Sequence, residues 1–230
     1  MVSRRLVVST VGAAMLWSTA FAGTVMLPGV GGDLQLGVRS FKEQRFSSIM
    51  QQQFDFSCGS AAIASLLSYH YDDSFTEHDV FTGMFSLADP EKVRLEGFSM
   101  LDMKRFLESE GYQADGFRMP LSGLREKVRL PVIVLLNMDG FRHFVVIKGI
   151  SEQEVFVGDP ARGLKVYPRA EFENYWNGAA FVIRSHLQQG RSTFLTGGDW
   201  PQIVRAPLFK GQEGPPLGHT LPYWPSTREW

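Results

Sequence analysis

Residues 57–71, Ser57-Cys58-Gly59-Ser60-Ala61-Ala62-Ile63-Ala64-Ser65-Leu66-Leu67-Ser68-Tyr69-His70-Tyr71, read as one helix that opens on the chain's only cysteine. Ala61, Ala62, Ile63, Leu66 and Leu67 supply apolar positions, and alanine is the best helix former. Downstream, Thr76-Glu77-His78-Asp79 has the form of a capping box, with Asp in place of the usual Glu, and predicts a second helix through about Phe85. Ser99 and Asp102 repeat that signal for a third helix, from about Met100 to Glu110, with Gly111 as its stop. Leu101, Phe106 and Leu107 of this helix are expected to face a core.

Beyond residue 130 the pattern changes to that of strands. Pro131 to Leu136 is a short apolar run, and Phe144 to Ile150 is rich in β-branched residues. Glu154 to Gly158 follows a short turn, and Leu164 to Tyr167 follows the loop Pro160-Ala161-Arg162-Gly163. A short helix from about Pro168 to Trp176 and a last strand, Ala179 to Ile183, complete the series. Helices first and a mainly antiparallel sheet second make an α+β chain with two lobes.

At 230 residues, 44% hydrophobic and 20% charged, the chain is long enough for one domain with a real core. Its net charge of −1 offers no basic field for nucleic acid. Residues 1–22 have the form of a secretory signal: Arg4 and Arg5, an apolar stretch from Leu6 to Trp17, and the cleavage pattern Ala20-Phe21-Ala22. Its apolar run is shorter than the roughly 20 residues of a membrane span, so any membrane contact is confined to this segment. Its removal deletes Arg4 and Arg5 and no acid, taking the charge from −1 to −3. The expected organisation is a signal peptide over 1–22, a flexible leader over 23–33 that gives way to a short strand at Leu34 to Val38, a compact domain over 34–186, and a Pro/Gly-rich arm over 187–230. That arm is expected to be extended, with Trp200, Tyr223, Trp224 and Trp230 available to dock part of it. The mature protein is expected in the periplasm.

Export gives the cysteine count meaning, because secreted chains tend to use cysteines in pairs and a lone one points to a free reactive thiol or an intermolecular bridge. A small buried hydrophobe is the plain alternative for Cys58. At a helix N-terminus its thiolate gains from the macrodipole and from free backbone N–H groups, and Gly59 lets a substrate backbone approach. Such a nucleophile needs a base. Of the five histidines, His70 follows the start of the helix by more than three turns, His78 belongs to a capped helix expected to face solvent, and His186 and His219 lie at or beyond the domain's end. His143 remains, in Phe141-Arg142-His143-Phe144-Val145-Val146, where a polar ring beside an apolar strand needs a polar partner. Asp159, in Val157-Gly158-Asp159-Pro160, ends the next strand. In a hairpin its carboxylate would lie beside His143 and fix the imidazole, though Asp before Pro is also a common turn residue. Gln51, Gln52 and Gln53 precede the nucleophile, and any of them is placed to join the Cys58 N–H in holding an oxyanion.

The run Gln52-Gln53-Phe54-Asp55-Phe56-Ser57-Cys58-Gly59 before an Ala-rich helix, with Gly140-Phe141-Arg142-His143-Phe144-Val145-Val146 and Asp159-Pro160, resembles the papain-like cysteine peptidases that trim double-glycine leaders from bacteriocins. The resemblance spans about Ser47 to Ile183 and implies a papain-like fold, a helical lobe on an antiparallel sheet lobe. It also implies a Cys58–His143–Asp159 triad with Gln52 as oxyanion donor. This chain lacks the membrane bundle and nucleotide-binding motif of the transporter-linked members, and it has Ser57 where an acid often stands. In those respects it is similar to the stand-alone peptidase component of functional-amyloid (Fap-type) secretion operons, which implies peptide or protein substrates among amyloid subunits or other secretion components. No cofactor is implied, and one Cys with scattered His residues offers no zinc-like ligand spacing. Two other readings share the cleft: a non-catalytic module that holds peptide segments during secretion, and acyl or amide transfer by the same residues. Gly197-Gly198 is itself a double glycine, and in a Gly/Pro-rich stretch it reads first as linker.

Overall fold

The computed structural model describes residues 24–26, 35–37, 40–138, 140–197 and 200. The expected signal segment, His219, Gly198 and the proline-rich stretch after 200 lie outside the described residues. The chain divides into two compact units, Met1–Glu43 and Gln44–Trp230. In the first, β1 (Thr24–Met26) pairs antiparallel with β2 (Gln35–Gly37). β2 falls within the short strand expected over 34–38, and β1 forms inside the stretch expected as a flexible leader. A short helix, α1 (Phe41–Arg45), follows in sequence.

The second unit begins with helices α2 (Cys58–His70), α3 (Glu77–Leu87), α4 (Pro90–Glu96) and α5 (Met100–Ser109). Both expected capping boxes form. Thr76 Oγ1 accepts from the Asp79 N–H while the Asp79 carboxylate accepts from the Thr76 N–H, and Ser99 and Asp102 repeat the exchange. α4 was not anticipated, although Asp89 accepts from the N–H groups of Glu91 and Lys92 and Pro90 occupies the first helical position. α5 buries Met103, Phe106 and Leu107. Leu101, expected in the core, is 55% exposed, because helical periodicity sets it off the face that those three share.

The sheet half comprises β3 (Ala114–Arg118), α6 (Leu121–Gly123) running into a π turn over Leu124–Val128, then β4 (Val132–Met138), β5 (Phe141–Ile150), β6 (Glu154–Asp159) and β7 (Gly163–Pro168). It ends with α7 (Arg169–Tyr175), β8 (Trp176–Ile183) and α8 (Leu187–Thr193). The strands form one six-stranded sheet, ordered β3-β8-β4-β5-β6-β7, with every neighbouring pair antiparallel. Alternate residues enter two cores. Ile133, Phe144, Val146 and Phe156 pack with Ile63, Leu66 and Met103 of α2 and α5 on one face. Val134, Val145, Ile147 and Val157 pack with Leu121, Phe172 and Trp176 on the other. Cover on both faces is why β4 and β5 read as continuous apolar runs rather than as alternating ones.

Of the arm expected over 187–230, the described residues are 187–197 and 200; they include a helix where extended chain was expected, and Trp200 docks as that expectation allowed. The arm opens as α8, Leu195 bridges to Gly149 in parallel, and Trp200 is buried. The Trp200 ring stacks on Phe156 with centroids 5.5 Å apart, and its Nε1–H donates to Glu154 Oε2 at 2.7 Å. Burial of a large aromatic ring with its N–H satisfied holds a glycine-rich stretch that carries little helix or strand propensity of its own.

The β6–β7 turn imposes a different demand. Gly163 has φ +84°, and a Cβ there would lie 2.7 Å from the Arg45 carbonyl oxygen. Gly163→Ala is therefore expected to lower unfolding free energy by about 1–3 kcal/mol, from the left-handed backbone and the close contact together. Urea denaturation of the variant beside its parent measures the loss.

Candidate active site

α2 begins at Cys58 because the preceding residues turn back on themselves. Ser57, at the N-cap, makes no side-chain cap; its Oγ donates to the Phe54 carbonyl at 3.0 Å and accepts from the Phe54 N–H at 3.1 Å. The first N–H groups of α2 are thus left uncapped at a half-buried thiol, and the positive end of a 13-residue helix faces Cys58. The thiol opens onto a cleft of about 730 Å³ that runs over α4 and α5. Leu101, displaced from the core, lines that cleft, together with Arg142 and Phe144 from β5.

The β5–β6 hairpin forms with Val146 opposite Gly158, so residues near the start of β5 lie beside the end of β6. His143 and Asp159 meet there: Nε2 and Oδ1 are 2.7 Å apart, with 2% and 0% of the side chains exposed. The same Oδ1 accepts from the N–H groups of Ala161 at 2.8 Å and Arg162 at 3.0 Å. Burial alone would raise the Asp159 carboxyl, but the hydrogen bond and charge of His143, with these two N–H donors, hold it below its ordinary value. For His143, burial opposes the charged form, and the hydrogen bonds and charges of Asp159 and Cys58 outweigh it, raising the imidazole to about 9. With Nε2 committed to Asp159, Nδ1 is the nitrogen left for Cys58. Phe141 stacks against the ring at 5.7 Å between centroids, placing an apolar plane beside it.

The three glutamines separate in the structure. Gln51 and Gln53 are exposed, whereas Gln52 is half-buried and its backbone N–H donates to the Pro160 carbonyl at 3.0 Å. One amide hydrogen of Gln52 donates to the Phe54 carbonyl at 3.0 Å. The amide carries a second, and Phe54 lies in the turn that starts α2. Gln52 is therefore tied at its backbone to the turn that holds Asp159 and at its side chain to the turn that presents Cys58.

The other described histidines stand elsewhere. His78 is exposed on α3, and the His186 ring lies tilted against that of Tyr112, with centroids 5.4 Å apart. His70, at the far end of α2, is buried against Lys148, with Nε2 and Nζ 2.7 Å apart. Burial and then the Lys148 charge lower His70 to about 2, and burial lowers Lys148 to about 7. Sequence reading set His70 aside as too distant from Cys58 and missed its lysine. The signal available was a lone lysine in the apolar run Val145-Val146-Ile147-Lys148-Gly149-Ile150.

Residues 46–187 match the model of the peptidase C39 family. Among curated proteins, the "Probable functional amyloid protease FapD" of Pseudomonas aeruginosa is 45% identical over 164 residues, covering 71% of this chain and 72% of that one. The protein of the same name from Pseudomonas fluorescens is 39% identical over 171 residues, covering 74% and 75%. Among solved structures, a double glycine motif protease from an AMS/PCAT transporter, crystallised with the leader peptide, superposes with a TM-score of 0.51 at 26% identity, covering 59% of this chain and 89% of that one. The helical lobe and antiparallel sheet are thus those of a papain-like fold, as the resemblance implied. The chain belongs to the peptidase C39 family.

Proposed function

We propose that this chain is an exported cysteine peptidase, acting in the periplasm on proteins of functional-amyloid secretion or assembly, with Cys58, His143, Asp159 and Gln52 as its working residues. The observation that carries the chemistry is the buried 2.7 Å contact between His143 Nε2 and Asp159 Oδ1, which leaves Nδ1 for Cys58 at an uncapped helix start. Support for the substrate class comes from the two relatives named as functional amyloid proteases, and support for the periplasm comes from the signal-like residues 1–22.

The Cys58 thiolate attacks the carbonyl carbon of the scissile peptide bond, and the carbonyl electrons move to oxygen. The Cys58 N–H and the second amide hydrogen of Gln52 hold that oxyanion. His143, as imidazolium, passes its proton to the departing amine nitrogen, and the C–N bond breaks to leave a thioester on Sγ. Water then attacks the thioester while the neutral imidazole takes its proton, and loss of the carboxylic acid product restores the thiolate–imidazolium pair. Asp159 keeps its charge throughout and stabilises the imidazolium.

Cys58→Ala is expected to abolish processing of co-exported proteins while circular dichroism remains that of the parent. Comparing the masses of proteins exported with and without Cys58 reads this directly, and unchanged processing by a folded Cys58→Ala protein would sink the peptidase reading.

Alkylation by iodoacetamide isolates the thiolate from peptide cleavage. His143→Ala is expected to slow alkylation of Cys58 at pH 7 by about tenfold or more, since the partner that favours the thiolate is gone. An equal rate in parent and variant would place the imidazole outside the nucleophile's chemistry.

The pH dependence has a definite sign. His143 is raised from 6.5 to about 9, so its pairing contributes stability that is fully present below pH 6.5 and is lost as pH rises through about 9. The rate of a thiolate–imidazolium enzyme should fall along the same upper limb. Asp159→Asn removes the largest raising influence, burial then prevails, and the limb is expected to move well below pH 9. A limb that stays near pH 9 in the variant would show that Asp159 does not set the imidazole.

A further inference from the structure

The segment that carries Gln52 has no ladder of its own. Residues 46–52 form turns, a bend and irregular chain, so tertiary bonds fix its course. Those bonds fall on alternate residues. The Ser48 carbonyl accepts from Lys148 Nζ at 2.8 Å, the Met50 N–H donates to Ser65 Oγ at 2.8 Å, and the Gln52 N–H donates to the Pro160 carbonyl at 3.0 Å. Between the first two, the Ile49 side chain is 1% exposed and packs with the Lys148 stem over Gly158; a Cβ on Gly158 would meet Ile49 Cδ1 at 3.0 Å and Lys148 Cδ at 3.2 Å. Gly158 directly precedes Asp159.

Lys148 is itself held from further sides. Besides Ser48, Nζ donates to His70 Nε2 at 2.7 Å and faces the Tyr69 ring, 5.6 Å from its centroid. The acceptor state of Nε2 follows from the next link. Thr193 Oγ1 donates to the Gly190 carbonyl at 3.0 Å and so accepts from His70 Nδ1–H at 2.7 Å. An amine 5% exposed that uses a hydrogen-bond chain from α8 through α2 to hold one carbonyl is an expensive arrangement for packing alone. Either protonation state of the amine keeps enough N–H groups for both Ser48 and His70, so the pin does not depend on the charge.

We propose that Lys148 is a positioning residue for catalysis: by fixing the Ser48 carbonyl it sets the place of the Gln52 amide at the oxyanion. This rests on the peptidase reading above and goes beyond it by naming what aims the oxyanion donor. Lys148 touches neither Cys58 nor His143 in any hydrogen bond, so its effect should reach only steps that build an oxyanion.

Two reagents separate those steps on the full chain. Acylation of Cys58 by p-nitrophenyl acetate adds the thiolate to an ester carbonyl, forms an oxyanion and expels p-nitrophenolate, which is read by its colour. Alkylation by iodoacetamide displaces iodide at a saturated carbon and forms no oxyanion. Lys148→Met, which keeps the stem and removes the donor, is expected to slow acylation about tenfold and leave alkylation within about twofold. Ser65→Ala, which releases Met50 instead, should do the same by an independent route. In a Gln52→Ala background Lys148→Met should cost nothing further in acylation, because the group it aims is absent. Acylation and alkylation falling together in both variants would mark Lys148 as merely structural and overturn the proposal, as would undiminished acylation or an equal loss without Gln52. Normal acylation in Gln52→Ala itself would remove the oxyanion assignment as well, and a parent thiol inert to both reagents would overturn the peptidase reading beneath them.

Discussion

A carboxylate with no exposed surface needs hydrogen-bond donors, and Asp159 gathers three of them on one oxygen, leaving Oδ2 buried without a partner among the described residues, in a way that fixes the rest of the site. Its Oδ1 takes the His143 ring and the N–H groups of Ala161 and Arg162. The two backbone donors are available only if the chain turns sharply after Pro160, and that turn carries β6 into β7 through Gly163 at a positive φ. The same turn presents the Pro160 carbonyl to Gln52. A buried anion left without these partners would cost several kcal/mol, so the turn, the imidazole and the glutamine segment are coupled through one group.

The second coupling runs through α2. Its apolar body is buried between the sheet and α3 and α5, which holds the helix axis, and the side chains around it fix both ends. At the N-terminus the reversed Ser57 side chain leaves orphan N–H groups beside the thiol. At the C-terminus His70 binds Lys148 on β5, five residues beyond His143. Helix and strand are thus joined by a buried amine–imidazole pair at one end and, in the proposed mechanism, by Cys58 and His143 at the other. Relative motion between α2 and β5 would strain both.

What could be read in the sequence was what is local. The capping boxes at Thr76 and Ser99 and the β-branched runs of β4 to β7 form within a few residues of one another, and each element appeared near its expected place. β3 was missed because it is an edge strand whose residues after Ala114 are largely exposed, so Asp115-Gly116-Phe117-Arg118 shows no apolar alternation. α4 was missed because it buries only Val93 and looks like a charged loop, even though Asp89-Pro90 is a good helix start. For the site, His143 and Asp159 were legible because the two residues belong to one hairpin. What sets Gln52 apart from Gln51 and Gln53, its half-burial and its bond to the Pro160 carbonyl, was not legible in the chain's chemistry, since folding brings that carbonyl across the molecule. The Lys148–His70 pair, 78 residues apart in sequence, was invisible for the same reason.

The bare start of α2 shows what the site costs the fold. A serine at the N-cap ordinarily accepts from the second or third helical N–H, and losing such a cap destabilises a helix by about 1 kcal/mol. Ser57 stands in that position and points back to Phe54 instead, forgoing the cap while its hydroxyl remains satisfied. An acceptor over those N–H groups would occupy the donors that the proposed mechanism uses to hold negative charge there. The helix can bear the omission because ten of its residues are buried and packing, rather than capping, supplies its stability. A surface helix of the same length would have little to set against the loss. The heavily buried, alanine-rich body of α2 and the half-buried thiol at its uncapped first residue are therefore two parts of one solution.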